Sequence, residues 1–360
     1  MKKTEIKLIN GDNAVLVEDS KIKMLKSENY NFVFDKSNGF FARWGKTQDD
    51  DGDPNLSYPE IIDMEISTSC HGVGKPCKFC YKSNVAKGEY MDIETFKKVF
   101  AKLPPTITQL AAGIGDIDSN PDMWKIFEHC RENGVIPNVT INCARMTTEY
   151  FDNLAKYCGA VACSAYDTEL TYTAIKELTD RGMKQINIHY MISDQSVEGA
   201  YKIIDDMQSE PRLSKMNAIV FLSLKQKGNA KTGYTQLSQE KFNDLCKYAL
   251  SKKINFGFDS CSSRKFFNYL DSDDTLTKEF KEQMYKCIEP CESSIFSSYV
   301  SVDGKYYPCS FCEGVNDEWK DGLSVLDCDD FITDIWYNEK TQNFKKKLLS
   351  CNRDCPIYSI

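Results

Sequence analysis

Short runs of alternating apolar and polar residues open the chain. Between residues 4 and 45, the runs NAVLVED, KIKMLK, NYNFVFD and GFFARWG are separated by Asn, Asp and Gly turn signals. Apolar alternation bounded by such turns predicts a small N-terminal sheet or hairpins. The segment KTQDDDGDPNLSYP that follows is acidic and rich in turn-forming residues, so we interpret it as a surface linker.

Beyond this linker, strand-like runs alternate with helical ones from EIIDMEIS to INFGFDS. Amphipathic segments such as DIETFKKVFAKL and PDMWKIFEHCRENG separate apolar runs such as ITQLAAG, VTINC and NAIVFLSL. About seven strands with intervening helices indicate a parallel α/β sheet, and they are too few for a standard eight-unit barrel. We therefore predict a partial TIM-like barrel with its chemistry at the carboxyl ends of the strands.

The alternation stops near Cys261, where a cysteine-dense tail begins. One helix, TLTKEFKEQMYKC, is expected there, and YVSVDGKYYPC predicts a hairpin whose tight turn is Asp-Gly. The pattern thus divides the chain into three regions. These are a β-rich extension with its linker (1–58), the barrel (59–265) and a cysteine-rich C-terminal domain (266–360).

Charge and hydropathy exclude several functions. The net charge of −8 argues against a protein that mainly binds nucleic-acid backbone, because that function requires a positive surface. The one basic run, KKK at 345–347, is expected on the solvated face of a late helix. Apolar runs are too short to span a bilayer, and the N-terminus lacks the pattern of a secretion signal. We therefore expect a cytoplasmic protein.

The 16 cysteines are the main chemical signal, and without a secretion signal a disulfide framework is disfavoured. Three of them lie in CHGVGKPCKFC, directly after the first barrel strand: Cys70, Cys77 and Cys80. A structural zinc site takes four protein ligands, whereas a [4Fe–4S] cluster bound by three thiolates keeps one iron open to another molecule. Zinc, completed by His71, remains an alternative.

The spacing C-x6-C-x2-C, with Phe79 just before the third cysteine, resembles the cysteine loop of the radical S-adenosylmethionine superfamily. That family more often has C-x3-C-x2-C. The resemblance implies a partial (β/α)6 barrel and a [4Fe–4S] cluster on Cys70, Cys77 and Cys80 that binds S-adenosylmethionine. It also implies that Phe79 packs near the adenine.

Other barrel positions match the family pattern in chain order. The segment QLAAGIGD places Gly113, Gly115 and Asp116 where the family has a Gly-Gly-Glu motif that holds the methionine ammonium group. A lone GxGD is more often only a turn, but this one follows the second barrel strand. The remaining cofactor contacts that the resemblance implies are Asn142, Ser164, His189 and Leu222. Each is also compatible with an ordinary residue at a strand end.

The tail resembles the twitch or SPASM extension of the same superfamily. The run from Cys291 through Gly304 to Cys309 is C-x12-G-x4-C, and CNRDCP comes later. The extension carries auxiliary iron–sulfur clusters, and the absence of a C-x2-C-x5-C-x3-C run favours the form with one auxiliary [4Fe–4S] cluster. The implied ligands are Cys291, Cys309, Cys351 and Cys355, with Cys261, Cys287 and Cys312 as rivals for one place. Zinc held by four cysteines is the alternative.

The resemblance also implies a reaction. S-adenosylmethionine is cleaved reductively to a 5′-deoxyadenosyl radical, which abstracts a hydrogen atom from the substrate, with electrons from a flavodoxin or ferredoxin. Twitch and SPASM enzymes mostly oxidise, crosslink or epimerise peptides and proteins, so a peptide or protein substrate is expected. Asp259 and Cys261, at the end of the last strand, are the candidate catalytic residues. A small-molecule dehydrogenase, a nucleic-acid-modifying enzyme and a zinc-stabilised binding protein remain alternatives.

Overall fold

The computed structural model describes residues 2–8, 11, 13–47, 52–358 and 360. It begins with an antiparallel sheet in which neighbouring strands follow chain order. The strands are β1 (Lys2–Lys7), β2 (Asn13–Glu18), β3 (Ile22–Lys26), β4 (Asn31–Asp35) and β5 (Phe41–Trp44). The four apolar runs form β2 to β5. The pattern did not predict β1, because KKTEIK is an edge strand with no buried position. Part of the expected linker, 48–51, lies outside the described residues.

Seven parallel strands form one side of the second sheet, in chain order out to its edge strand. They are β6 (Ile61–Glu65), β7 (Gln109–Gly113), β8 (Ile136–Ile141), β9 (Val161–Ser164), β10 (Ile186–Ile192), β11 (Ala218–Ser223) and β12 (Phe256–Phe258). The helices between them are α1 (Ile93–Lys102), α2 (Met123–Glu132), α3 (Thr148–Tyr157), α4 (Thr168–Asp180), α5 (Val197–Ser209) and α6 (Gln239–Ser251). The expected partial TIM-like barrel is confirmed.

Local sequence explains where these helices start and which face they bury. Helices α1, α3, α4 and α6 begin after Asp92, Thr147, Asp167 and Ser238, whose side chains each accept a hydrogen bond from a main-chain N–H of the first turn. Helix α1, for example, buries Phe96 and Val99. The helices therefore cover the outer face of the sheet with their apolar sides.

The opposite face of the strands lines an open interior. Along β11, buried residues alternate with partly accessible ones, and Thr140 is exposed although it lies within the central strand β8. Gly113, the last residue of β7, is exposed as well. In a closed barrel, large side chains fill this interior. Here the inner face is left accessible, so we call this space the lumen.

The chain after residue 262 continues the barrel sheet. Its elements are α7 (Ser263–Ser272), α8 (Lys278–Cys287), β13 (Ser297–Val300), β14 (Lys305–Tyr307), β15 (Leu323–Ser324) and α9 (Glu339–Ser350). Strand β13 pairs in parallel with β6 and antiparallel with β14. The hairpin turns at Asp303 and Gly304, whose φ of +76° suits a glycine. Helix α7, which the pattern did not predict, extends the helical part of the chain directly after β12.

The basic run 345–347 lies on α9, but the prediction that it is solvated is wrong for Lys345. That side chain is 1% exposed, and its Nζ donates a hydrogen bond to Ser57 Oγ at 3.3 Å. Burial lowers the pKa of Lys345 to about 8. The helix turns this lysine toward the segment that leads into the barrel, where Trp336 also donates its Nε1–H to the carbonyl of Ser57.

The N-terminal sheet covers the amino end of the barrel, opposite to the expected site. Lys23 on β3 donates hydrogen bonds to the carbonyls of Ile107 (2.7 Å) and Pro105 (3.3 Å), which directly precede β7. Arg43 on β5 pairs with Glu60, the residue before β6. The N-terminal sheet therefore does not cover the carboxyl ends of the strands, where the cysteine loop lies. None of the helices in the described residues has the length and apolar character needed to cross a membrane.

Candidate active site

The first cysteine loop follows β6 at the carboxyl end of the barrel. Cys70, Cys77 and Cys80 lie close enough for their thiols to interact electrostatically, and all are partly accessible. Burial raises the pKa of Cys70, and it raises that of Cys77 to about 11. The loop is fixed by the segment after β11, where the N–H of Asn229 donates to the Cys80 carbonyl at 2.9 Å and its Nδ2 donates to the Cys77 carbonyl at 3.2 Å.

Asp116 holds the other side of this loop. Its carboxylate accepts hydrogen bonds from the main-chain N–H of His71 at 2.7 Å and from Asn142 Nδ2 at 2.9 Å, and it forms an ion pair with Arg145. Burial alone would raise the pKa of Asp116, but these hydrogen bonds keep it below its usual value. The carboxylate therefore already has protein partners, including a cation.

The glycines before Asp116 permit a close approach of two loops. A Cβ on Gly115 would overlap the carbonyl oxygen of Ser69 and lie 2.5 Å from Cys70 Cβ. The Gly113 carbonyl accepts a hydrogen bond from the N–H of Ile66 at 2.8 Å. The motif QLAAGIGD thus packs directly against the first cysteine.

Aromatic rings gather beside the third cysteine. Phe79 lies 5.4 Å from the Tyr166 ring and 5.9 Å from the Tyr234 ring, centroid to centroid. Tyr166 directly follows the β9 segment and Tyr234 lies in the segment after β11, so three distant parts of the sequence form this cluster. Sequence analysis identified only Phe79, because Tyr166 and Tyr234 do not belong to any recognisable motif.

The other expected cofactor contacts lie on neighbouring barrel strands. Ser164 on β9 is the register partner of His189 on β10, and Leu222 on β11 is the partner of Met191. Burial lowers the pKa of His189 to about 4, so its imidazole is neutral at pH 7. Its Nδ1 lies 3.5 Å from Thr140 Oγ1, the exposed group of the lumen.

A second cysteine cluster forms in the C-terminal region. The Sγ atoms of Cys309 and Cys312 are 3.5 Å apart, and electrostatic interactions join them with Cys291 and Cys355. The hydrogen bond from Cys312 lowers the pKa of the Cys309 thiol. Cys309 is thereby favoured as a thiolate, the form that binds metals. Cys261 interacts electrostatically with Cys291 and Cys309 from the barrel side.

The remaining cysteines of the tail have other surroundings. The Cys351 Sγ donates to main-chain carbonyls, the shortest contact being 3.0 Å to Asp354. Cys287 is exposed at the end of α8. Cys328 is buried, and its Sγ donates to the Val325 carbonyl at 3.2 Å.

Between the two cysteine clusters lies a network of charged residues that sequence analysis missed. Lys82 Nζ is 3.1 Å from Glu65 Oε1, donates to Tyr299 Oη at 2.8 Å and pairs with Glu313. Burial raises the pKa of Glu65. The network borders a cavity of about 440 Å³. Lys82 lies shortly after Cys80 of the first cluster, and Glu313 directly follows Cys312 of the second. This proximity to the cysteines is the only sequence signal that could have indicated a shared site.

Direct packing also joins the two cysteine loops. The ring of Tyr81, next to Cys80, lies 4.3 Å from the ring of Phe311, next to Cys312. The Tyr81 hydroxyl donates to Ser310 Oγ at 3.2 Å. The two thiol sites are therefore neighbours at the rim of the lumen, which is formed by the carboxyl ends of the barrel strands.

The two catalytic candidates, Asp259 and Cys261, lie at this rim after β12. Asp259 forms an ion pair with Lys225, which is 4% exposed and follows β11. Ser223 N–H also donates to Asp259 Oδ1, at 3.4 Å. Lys225 was not singled out from the sequence, although its place directly after an apolar strand is where barrel enzymes position functional groups.

The donor atoms of both clusters fit iron–sulfur chemistry. Within the described part of the chain, no three His, Cys, Asp or Glu side chains are close enough to bind a single metal ion. A [4Fe–4S] cluster takes each thiolate on a different iron, so its ligands surround the cluster and do not meet at one point. Three thiols in one group and four in the other match this ligand chemistry.

Comparison with known proteins found solved structures with a similar fold. The sequence matches no protein-family model and no curated protein. Among solved structures, SuiB of Streptococcus suis bound to its precursor peptide SuiA is 14% identical, with 91% of this chain and 90% of that chain covered and a TM-score of 0.68. SuiB bound to S-adenosylmethionine is 16% identical, with 94% and 93% covered and a TM-score of 0.65.

A second protein, anSMEcpe with bound AdoMet and the Cp18Cys peptide, is 13% identical, with 80% of this chain and 82% of that chain covered and a TM-score of 0.56. At such identities the likeness shows the fold. The chain therefore shares its fold with solved structures of proteins that bind S-adenosylmethionine and peptides.

Proposed function

We propose that this protein is a radical S-adenosylmethionine enzyme that modifies a peptide or protein. One observation carries the proposal: the thiols of Cys70, Cys77 and Cys80 gather at the carboxyl end of β6, beside an open lumen. Barrel enzymes keep their chemistry at this end. The fold shared with proteins that bind S-adenosylmethionine supports the same assignment.

The three thiolates would hold a [4Fe–4S] cluster and leave one iron for S-adenosylmethionine. When bound, the pair supplies a radical that removes a hydrogen atom from the substrate. The chain fixes the loop on both sides, through Asn229 on one and Asp116 on the other. This rigidity keeps the three thiolates in one arrangement.

Side chains around the loop have distinct roles in this proposal. Phe79, with Tyr166 and Tyr234, offers an aromatic surface for the adenine ring. The neutral His189 and the adjacent Ser164 offer hydrogen bonds to hydroxyl groups at the inner face of the sheet. Because Asp116 is paired with Arg145, we propose that it orients the loop and the Gly113–Gly115 turn around the methionine group. Leu222 and Asn142 complete the surrounding wall.

We further propose that residues 266–360 form an auxiliary-cluster domain whose ligands are Cys291, Cys309, Cys312 and Cys355. The 3.5 Å separation of the Cys309 and Cys312 Sγ atoms supports Cys312 as a member in place of Cys351, whose thiol donates to main-chain carbonyls. Such thiols stay reduced in the cytoplasm. A low-potential flavodoxin or ferredoxin is the proposed electron donor.

The substrate proposal depends on the lumen. The open inner face near the exposed Thr140 is the proposed place of a peptide side chain, and the 440 Å³ cavity lined by Glu65, Lys82 and Glu313 offers charged and polar groups for its main chain. Precursor peptide SuiA bound to SuiB supports a peptide substrate by likeness of fold. Asp259 and Cys261 at the rim are the proposed groups for proton or hydrogen transfer.

The test is anaerobic purification followed by iron and sulfide counting and a 5′-deoxyadenosine assay with dithionite as reductant. About eight irons per chain are expected for two clusters. Cys80→Ala should abolish formation of 5′-deoxyadenosine, whereas Cys130→Ala, a buried cysteine on α2, serves as the matched control. Zinc in place of iron, or undiminished cleavage by Cys80→Ala, would refute the proposal.

The ligand set of the second cluster has its own test. Cys312→Ala is expected to lose about four irons per chain, and Cys351→Ala is expected to keep the wild-type iron content. The reverse result would restore Cys351 as the ligand and remove Cys312.

A further inference from the structure

An ion pair between a buried lysine and a partly buried aspartate stands between the lumen and the second cysteine cluster. Lys225 follows β11 and Asp259 follows β12, and the two side chains pair across the strand ends. Lys225 is 4% exposed. Ser262 Oγ and Ser223 N–H donate further hydrogen bonds to the Asp259 carboxylate, so the acid is held in place independently of the lysine.

The lysine faces the cluster side of this pair. Its Nζ lies 4.9 Å from the ring centroid of Phe311, the residue directly before Cys312. It is also close enough to interact electrostatically with Cys261 and Cys355. The ion pair is not needed to join β11 and β12, which main-chain hydrogen bonds already link.

Fixed charges beside a thiolate-bound cluster change its reduction potential. Reduction adds one negative charge, so a nearby ammonium group stabilises the reduced state and a nearby carboxylate destabilises it. Buried charges are screened little by salt or water. Surrounding charges and hydrogen bonds are among the features by which a protein tunes such a site.

We propose that Lys225 and Asp259 set the reduction potential of the auxiliary site and act with opposite signs. Lys225 raises the potential, and Asp259 lowers it. The inference rests on the proposed function, because it requires a cluster at the second cysteine group. Lys225 then acts through its charge, without touching the substrate, and makes the site a better electron acceptor.

The experiment isolates the second cluster. In a full-length chain that carries Cys70→Ala, Cys77→Ala and Cys80→Ala, only the auxiliary site retains iron. An anaerobic redox titration followed by electron paramagnetic resonance then gives its potential. Lys225→Met is expected to shift the midpoint to more negative values and Asp259→Asn to more positive values.

The two opposite shifts distinguish charge from structural damage. Breaking the same ion pair from either side would disturb packing in a similar way, so shifts in one direction, or none, would overturn the proposal. Lys225→Arg keeps the charge and should restore a potential close to that of the starting protein. If Lys225→Met does not retain iron, the test depends on Asp259→Asn alone. The proposal is then overturned if the midpoint potential of Asp259→Asn is not more positive than that of the starting protein.

Failure of the underlying function gives a different result. If the chain without the first three cysteines contains no iron, the auxiliary site itself is refuted. If it contains about four irons and the variants leave the potential unchanged, only the assigned roles of Lys225 and Asp259 are refuted.

Discussion

Arg43 is expected to stabilise the junction between the N-terminal sheet and the barrel. Its Nε donates to both oxygens of Glu60, at 2.9 and 3.2 Å, and its Nη2 donates to Glu60 Oε2 at 2.7 Å. The Glu60 side chain is fully buried, and it also accepts a hydrogen bond from Tyr30. Arg43 Cζ lies 3.3 Å from the ring centroid of Phe296, and Nη1 reaches Glu289 at 3.2 Å.

Arg43→Met removes the cation and leaves the Glu60 carboxylate buried with only Tyr30 as a donor. Breaking one side of a buried ion pair costs about 3–5 kcal/mol of unfolding free energy. Burial already raises the pKa of Glu60, so the carboxyl of the variant takes up a proton more readily. The loss of stability should therefore shrink as the pH falls from 7 toward 5, because the folded variant binds a proton that the unfolded chain releases.

Urea unfolding of the anaerobically purified protein measures this effect. The double variant Arg43→Met, Glu60→Gln should be clearly more stable than Arg43→Met, since no buried charge is left unpaired. Lys97→Met, which removes an exposed ion pair to Glu94 on α1, is the control and should cause no measurable loss. A loss below about 1 kcal/mol for Arg43→Met, or no recovery in the double variant, would refute the reasoning.

Two further predictions concern the cysteine loop and the buried lysine of α9. Gly228→Ala should lower the iron content of the first site, because Gly228 has a φ of +58° and its Cβ would overlap the Tyr81 carbonyl and lie 2.6 Å from that of Cys80. Gly257→Ala, whose Cβ meets nothing within 4 Å, should keep wild-type iron, and equal iron in both variants would contradict this prediction. The stability difference between Lys345→Met and the wild type should shrink as the pH rises from 8 to 10, since the pKa of Lys345 is about 8 when folded and 10.5 in the reference state. Lys345→Met should be up to about 3 kcal/mol more stable than the wild type at pH 7 and should lose this advantage at pH 10. Urea unfolding of both proteins at both pH values measures the difference, and a difference that does not change with pH would contradict the prediction.

Local patterns in the sequence determined most of the barrel. Apolar periodicity depends only on neighbouring residues, so it predicted the seven parallel strands, the helices between them and four strands of the N-terminal sheet. The Asp-Gly turn of the β13 hairpin followed from backbone preference alone. Strand β1 escaped because it buries no residue, and helix α7 was missed although Phe266, Tyr269 and Leu270 give it a buried apolar stripe. The cysteine loop after β6 was recognisable because its chemistry lies within eleven consecutive residues, CHGVGKPCKFC.

Only the tertiary structure decided which distant side chains meet. The pairing of Lys225 with Asp259, and of Lys82 with Glu65 and Glu313, joins segments from different strands or regions. The parallel pairing of β13 with β6 brings the second cysteine cluster next to the first. These contacts depend on long-range packing, which the local periodicity of apolar residues does not predict. For the same physical reason, the sequence divided the cysteines into two clusters, but the fold was needed to show that the two clusters are neighbours.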